Sequence, residues 1–242
     1  MATESNAGGA TSQITYGSAI TNGLSAVTVV MWIKSDLTNT DRGFFQTLST
    51  AISGGQDQPL CLRYDAAGAT GGGSNLIKCA VDTTDKTNNG LESANGVQTT
   101  ALQCLILDWE VGDRERLYID GVETTPTHAP PTHTGTTVNA DGVWMHRGGK
   151  DGSNCWDGIC YELRIYNRKL SAAERQNIVT QRGQDTIRNG LILQWHGDQG
   201  APGTTVSSVT DRSGNGYTGT AGGSTSPTFA EDVIHTRRRR AA

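Results

Sequence analysis

The sequence predicts an all-β chain folded as an antiparallel sandwich, and three observations carry that expectation. Segments of four to nine residues alternate apolar and polar with period 2. Between them lie turn-forming stretches drawn from 31 glycines and many Ser, Thr, Asn and Asp residues. The strands follow one another without interleaved helical patterns, which points away from a parallel α/β sheet.

The elements follow in chain order. Residues 26–34 place Val27, Val29, Met31 and Ile33 on one face and Thr28, Val30, Trp32 and Lys34 on the other. Further strands are expected at 44–48, 60–64, 76–81, 102–109, 116–120, 143–146 and 159–166. The stretch 66–75, with Gly71, Gly72 and Gly73 in a row, reads as the turn of a 60–81 hairpin. Asp120-Gly121 before Val122 is a tight hairpin turn. Residues 124–137 are rich in Pro and Thr, lack alternation and read as a projecting loop carrying an exposed His128 and His133. One helix is expected over 172–182: Ser171 and Glu174 have capping-box spacing, Gly183 sits at the stop, and Ile178 and Val179 form the packing side. After a break at 182–189, residues 190–195 begin another strand. We assign 1–183 to the sandwich. Residues 184–242 are too few and too Gly-rich to hold a core alone, so they complete that sandwich or pair with a neighbour.

The 242 residues are 35% hydrophobic and 18% charged, which excludes a disordered acidic chain and a helical bundle. No apolar run approaches the roughly 20 residues needed to cross a bilayer. The N-terminus lacks the basic and apolar regions of a secretory signal. The formal charge is −4, from 20 Lys and Arg against 24 Asp and Glu. Four of the positives are consecutive, Arg237, Arg238, Arg239 and Arg240, so the body is acidic with one basic tail. A nucleic-acid binder would spread positive charge over a face, and that class is set aside.

The five cysteines, Cys61, Cys79, Cys104, Cys155 and Cys160, contain no Cys-x-x-Cys pair, which argues against zinc. If Asp65 faces Asn75, Cys61 stands opposite Cys79, and a disulfide or two reduced thiols both fit. The state of Cys155 and Cys160 is equally open.

Val27-Thr28-Val29-Val30-Met31-Trp32-Ile33-Lys34 resembles the "F-T-I-S-x-W-V-K" strand of laminin-G-like, concanavalin A-like jelly rolls. Leu117-Tyr118-Ile119-Asp120-Gly121-Val122 is similar to their "L-Y-V-D-G-V" hairpin. The run from Trp156 to Ser171 is similar to "F-D-G-x-I-D-E-V-R-I-Y-N-R-A-L-S". These matches cover roughly residues 12–180. The resemblance implies a jelly-roll β-sandwich with one short surface helix. The family's opening motif, "G-L-V-x-x-W-x-x-D … D-x-S-G-N-G-x-x-G-T", is matched only at 190–198 and 209–220. That placement implies a circular permutation in cis or a strand supplied to an adjacent subunit in trans, with 190–196 inside a sheet either way.

The resemblance implies sugar binding, glycan hydrolysis or a non-catalytic surface role. Hydrolysis in sandwich-fold glucanases draws on carboxylates alternating along one strand. Here only Asp108 and Glu110 alternate, a third acid is missing, and a solvated strand end is the expectation. His128, His133, His146, His196 and His235 have no Gly-x-Ser-x-Gly elbow for company. We therefore expect no enzyme. Calcium, which the family holds at a rim, would draw on Asp151, Asn154 and Asp157, although Asx residues also cap their own turns. The same turn reading covers Asp211, Ser213 and Asn215. For glycan contact, Trp109 and Trp144 are the candidates, since Trp32, Trp156 and Trp195 match structural family positions. The main expectation is a non-catalytic bacteriophage capsid decoration protein on the virion surface. It would dock on the particle through Arg237–Arg240 and make homo-oligomeric or lattice contacts, with no nucleic-acid or membrane partner. The alternative is an extracellular lectin-like adhesion module that binds carbohydrate, assisted by calcium.

Overall fold

The computed structural model describes residues 2–6, 12–17, 20–48, 59–68, 72–85, 90–140, 142–146, 154–223, 225–231 and 233–234. The strands are β1 (Ala2–Asn6), β2 (Gln13–Tyr16), β3 (Ala26–Ser35), β4 (Arg42–Leu48), β5 (Leu60–Asp65), β6 (Leu76–Val81), β7 (Gly90–Glu92), β8 (Leu102–Glu110), β9 (Arg116–Ile119), β10 (Val122–Glu123), β11 (Gly142–Met145) and β12 (Asp157–Tyr166). After helix α1 (Ala172–Thr180) come β13 (Leu191–His196), β14 (Ser208–Thr210), β15 (Thr218–Gly222) and β16 (Thr228–Ala230). They form two eight-stranded sheets. The first runs β10-β9-β8-β3-β12-β1-β16, with β13 also on β12; the second runs β14-β15-β2-β11-β4-β5-β6-β7.

The inner faces meet in one core. Val27, Val29, Met31 and Ile33 pack with Leu105, Leu107 and Trp109 against Ile14, Tyr16, Phe44, Leu62 and Val143 of the opposite sheet. The other face of β3 is buried too. Val30 and Trp32 join Cys104, Ile106, Tyr118, Tyr166, Ile178, Ala230 and Ile234 in a second apolar cluster beneath α1. A sheet covered on both faces reads as a nearly continuous apolar run, which is why 102–107 lacks clean alternation.

The helix forms where its cap predicts. Ser171 Oγ accepts from Glu174 N at 3.2 Å, and Glu174 Oε2 accepts from Ser171 N at 2.9 Å. Ile178 is fully buried and Val179 packs at the cluster's edge. Gly183, at φ 72, closes the end by donating to Ile178 O at 3.0 Å. The Asp120-Gly121 turn has both residues at positive φ (51 and 85), as a type I′ hairpin requires.

The 60–81 hairpin has a different register from the one expected. Asp65 faces Leu76, not Asn75, so Cys61 stands opposite Ala80 and Cys79 opposite Leu62. Asn75 adopts φ 54 and donates to Ala66 O at 3.0 Å, so it belongs to the turn and strand pairing starts one residue later. A one-residue slip moves a side chain to the other face of the sheet. Cys79 lies in the core and Cys61 on the opposite face, which removes the disulfide reading; all five cysteines are buried and none is in a disulfide.

Residues 191–196 pair within the same chain. β13 runs antiparallel to β12, from Glu162 opposite His196 to Tyr166 opposite Leu191. The same edge of β12 accepts β1 further along, with Thr3 opposite Cys160 and Asn6 opposite Asp157. Asp211 secures the loop that follows β13: its Oδ1 accepts from Gln194 N at 2.9 Å and Ser213 N at 2.7 Å. Asn215 Nδ2 donates to Ile192 O at 3.0 Å. The Asp-x-Ser-Gly-Asn run is thus a hydrogen-bonded turn that pins β13.

Candidate functional site

At one end of the sandwich, residues from three distant parts of the chain converge. β12 starts beside the end of β3, with Gly158 opposite Ser35 and Asp36 N donating to Asp157 O at 3.1 Å. Gly158, at φ 144, permits this approach, because a Cβ there would run into Lys34 O and stand 2.9 Å from Ser35 Cα. The turn before β12 lies along the start of β4: Gly43 N donates to Asn154 O at 2.9 Å and Arg42 Nη1 to Cys155 O at 3.4 Å. The resulting rim carries Asp36, Arg42, Asn154 and Asp157. Asp36 and Asn154 are exposed, while Arg42 and Asp157 are half-buried. Burial raises the Asp157 carboxyl above its ordinary range, the Asp36 charge adds to that, and Arg42 opposes it.

Of the residues expected to hold calcium, Asn154 and Asp157 share this rim, and Asp151 lies outside the described residues. Asp36 and Arg42 were not foreseen, because no local spacing links them to 154–157 and only the β3–β12 register does so. Calcium takes 6–8 oxygens. Among the described residues the rim offers two carboxylates and one amide, and nowhere do three or more His, Cys, Asp or Glu side chains stand so that they could hold a metal ion. These donors do not complete a calcium shell. The rim groups can instead donate and accept hydrogen bonds in pairs, as vicinal hydroxyls require.

The tryptophan candidates divide. Trp109 is fully buried, edge-on to His133 at 6.3 Å, and presents no face to a ligand. Its register opposite Val27 places it on the core side, correcting its assignment as a glycan platform. Trp144 pairs through its backbone with Thr15 and Gln46, and its side chain lies outside the described residues. Arg237, Arg238, Arg239 and Arg240 also lie outside them.

Asp108 does not sit at a solvated strand end. It is fully buried, accepting from Thr28 Oγ1 at 2.6 Å and Arg175 Nη1 at 2.7 Å, and so ties α1 to the sheet. Burial still raises its carboxyl above the ordinary range. Glu110 is exposed and pairs with Lys169 at 2.9 Å. Both carboxylates are engaged in ion pairs, Asp108 with Arg175 and Glu110 with Lys169. His133 is likewise fully buried, not exposed on a projecting loop.

A buried polar cluster on β12 and β13 was also missed. Glu162 Oε1 meets Arg164 Nε at 2.6 Å, His196 Nε2 at 2.8 Å and Gln194 Nε2 at 3.0 Å. Arg164 Nη1 reaches Asp185 Oδ1 at 2.8 Å. Burial pushes the Glu162 carboxyl up, but Arg164 and His196 outweigh it and bring it down to about 2. A carboxylate so firmly ionised is a structural clamp rather than a proton donor. The Glu-x-Arg spacing within the matched motif is its only sequence signal.

A family profile described as the concanavalin A-like lectin/glucanases superfamily matches residues 7–174. No curated protein matches the chain. A carbohydrate-binding protein structure from Bacteroides ovatus, so designated provisionally, aligns with TM-score 0.63 at 15% identity, over 95% of this chain and 60% of that one. The native heptameric SAP-like pentraxin of Limulus polyphemus gives TM-score 0.59 at 13% identity, over 90% and 93%. The carbohydrate-binding module of a Ruminococcus gnavus sialidase, solved with α2,3-sialyllactose, gives 0.51 at 15%, over 71% and 100%. The chain spans 60% of the Bacteroides protein's length. At these identities the structural likeness speaks for the fold, which is the jelly-roll sandwich described above. With the profile spanning most of its length, the chain belongs to the concanavalin A-like lectin/glucanases superfamily.

Proposed function

We propose that this chain is a non-catalytic carbohydrate-binding module that takes its ligand at the Asp36–Arg42–Asn154–Asp157 rim. The observation that carries the reading is the convergence there of acidic, basic and amide groups from β3, β4 and the start of β12, all outside the core. The carboxylates elsewhere that alternate along a strand are tied up in structural contacts, which favours binding over hydrolysis. The sialidase module and the Bacteroides protein, both carbohydrate-binding by designation, support the same class. Docking on a capsid would rest on the basic run at 237–240, and no structural observation favours it.

The test is calorimetric titration of the full chain with glycans that score in an array, in calcium and in EDTA. Saturable binding is expected, weakened about tenfold or more by Asp157→Ala and by Arg42→Ala, since hydrogen bonds to charged groups contribute about 1.5–3 kcal/mol. Glycan binding left unchanged by both substitutions would move the site elsewhere. No binding to any glycan would remove the reading.

A further inference from the structure

The Pro/Thr loop is held at both ends and in the middle. Glu92 N donates to His128 O and Thr127 N to Glu92 O, both at 2.9 Å, so the loop's first part covers the edge of β7. Its last part is bound by Asp85, which accepts from Thr134 N at 2.8 Å and Gly135 N at 2.7 Å. Between them, Gly112 N donates to His133 O at 2.7 Å and His133 N to Asp113 O at 3.1 Å, which carries the His133 ring into the interior.

The ring stands between two acceptors. Nδ1 is 3.0 Å from Thr83 Oγ1, and Nε2 is 3.3 Å from Glu115 Oε1. Thr83 Oγ1 gives its own proton to Asp85 Oδ1 at 2.7 Å, so towards His133 it can only accept. Glu115 Oε1, which also accepts from Val81 N at 3.0 Å, is an acceptor as a carboxylate. A neutral imidazole has one N–H and leaves one of these neighbours facing a lone pair. Only the imidazolium donates to Thr83 and at the same time sets a positive ring edge against Glu115, making that 3.3 Å contact an ion pair.

We propose that His133 is a proton-operated latch: the imidazolium fastens the 124–137 loop to Thr83 and Glu115, and loss of its proton releases that loop. Among the described residues the charged groups facing the ring are Glu115, which leads into β9, and Asp82 and Asp85, which follow β6; all three favour the protonated form. Asp113 offers the ring's residue only its carbonyl, its carboxylate being held by Lys169 and Arg116. Burial lowers the His133 pKa, but the contact with Glu115 and the nearby carboxylates outweigh it and hold it above 6.5. A group with a raised folded-state pKa stabilises fully below its unfolded value, and that contribution disappears as pH rises through the folded value. The latch is therefore closed in mild acid and opens toward alkaline pH.

The experiment follows the His133 Cε1–H resonance of the full chain from pH 5.5 to 9, alongside hydrogen-exchange protection factors for 124–137 and, as internal reference, 26–35. The expected midpoint lies above 6.5, and Glu115→Gln should lower it. Between 6.5 and that midpoint the loop's opening constant should rise about tenfold per pH unit and then level off, with 26–35 unchanged. His133→Gln should hold the loop at its alkaline level and abolish the pH dependence. A midpoint at or below 6.5, or loop protection independent of pH in the unsubstituted chain, would overturn the proposal, and neither reading needs a variant to fold. So would a pH dependence retained in His133→Gln.

Discussion

Gly158 and Glu162 show how much a single residue can carry in this sheet. At φ 144 and pressed on the end of β3, Gly158 has no room for a methyl group, so Gly158→Ala is expected to cost about 2 kcal/mol or more. Urea midpoints check this, and the same variant should lose glycan affinity because it separates Asp36 from Asp157. Glu162→Gln leaves Arg164 buried without its nearest carboxylate and should cost about 3–5 kcal/mol, whereas an exposed pair such as Arg116–Glu123 at 3.0 Å should cost under about 1 kcal/mol. The sign with pH follows. Glu162 sits at about 2 when folded against 4.5 as a free side chain, so its contribution of about 3 kcal/mol is complete above 4.5 and is lost as pH falls toward 2. In an Arg164→Met variant the stability lost between pH 4.5 and 2, read from urea midpoints, should be smaller than in the unsubstituted chain.

At the scale of elements, the helix is a cover more than a recognition surface. Its one fully buried side chain, Ile178, closes the apolar cluster on β3 and β8, and Arg175 lies over the Tyr118 ring at 4.1 Å while holding Asp108. Ser171→Ala removes one half of the capping box and should cost about 1 kcal/mol in thermal or urea denaturation. Such elements were legible in the sequence because their signals are local: the capping box, the Asp-Gly turn and the alternation in β3 each lie within a few residues. The β5–β6 register was not, since one left-handed residue, Asn75, decides whether pairing starts at 75 or 76. The fates of Asp108 and Trp109 were equally hidden. Both depend on which side of β8 meets α1 and which meets the core. His133 was misread for the same reason, because only the fold shows that a Pro-rich loop turns inward onto Glu115.

At the scale of the molecule, the rim exists only because the end of β3 meets the starts of β4 and β12, and no stretch of sequence contains it. The pairings of β1 and β16 in the first sheet have a broader consequence. Ala2 lies opposite Ala230 and Thr3 opposite Phe229, so the first and last described strands of the first sheet are hydrogen-bonded neighbours. Topologically the chain is nearly a ring, and where it is cut becomes a matter of convenience. A rearranged polypeptide that starts in the 184–190 loop and joins residue 234 to residue 2 through a Gly/Ser bridge keeps every strand pairing described here, and the buried Ile234 with them. It should melt cooperatively within a few degrees of the parent. Connectivity and architecture are separable in this sandwich, since strands as far apart in sequence as β1 and β16 lie side by side in one sheet.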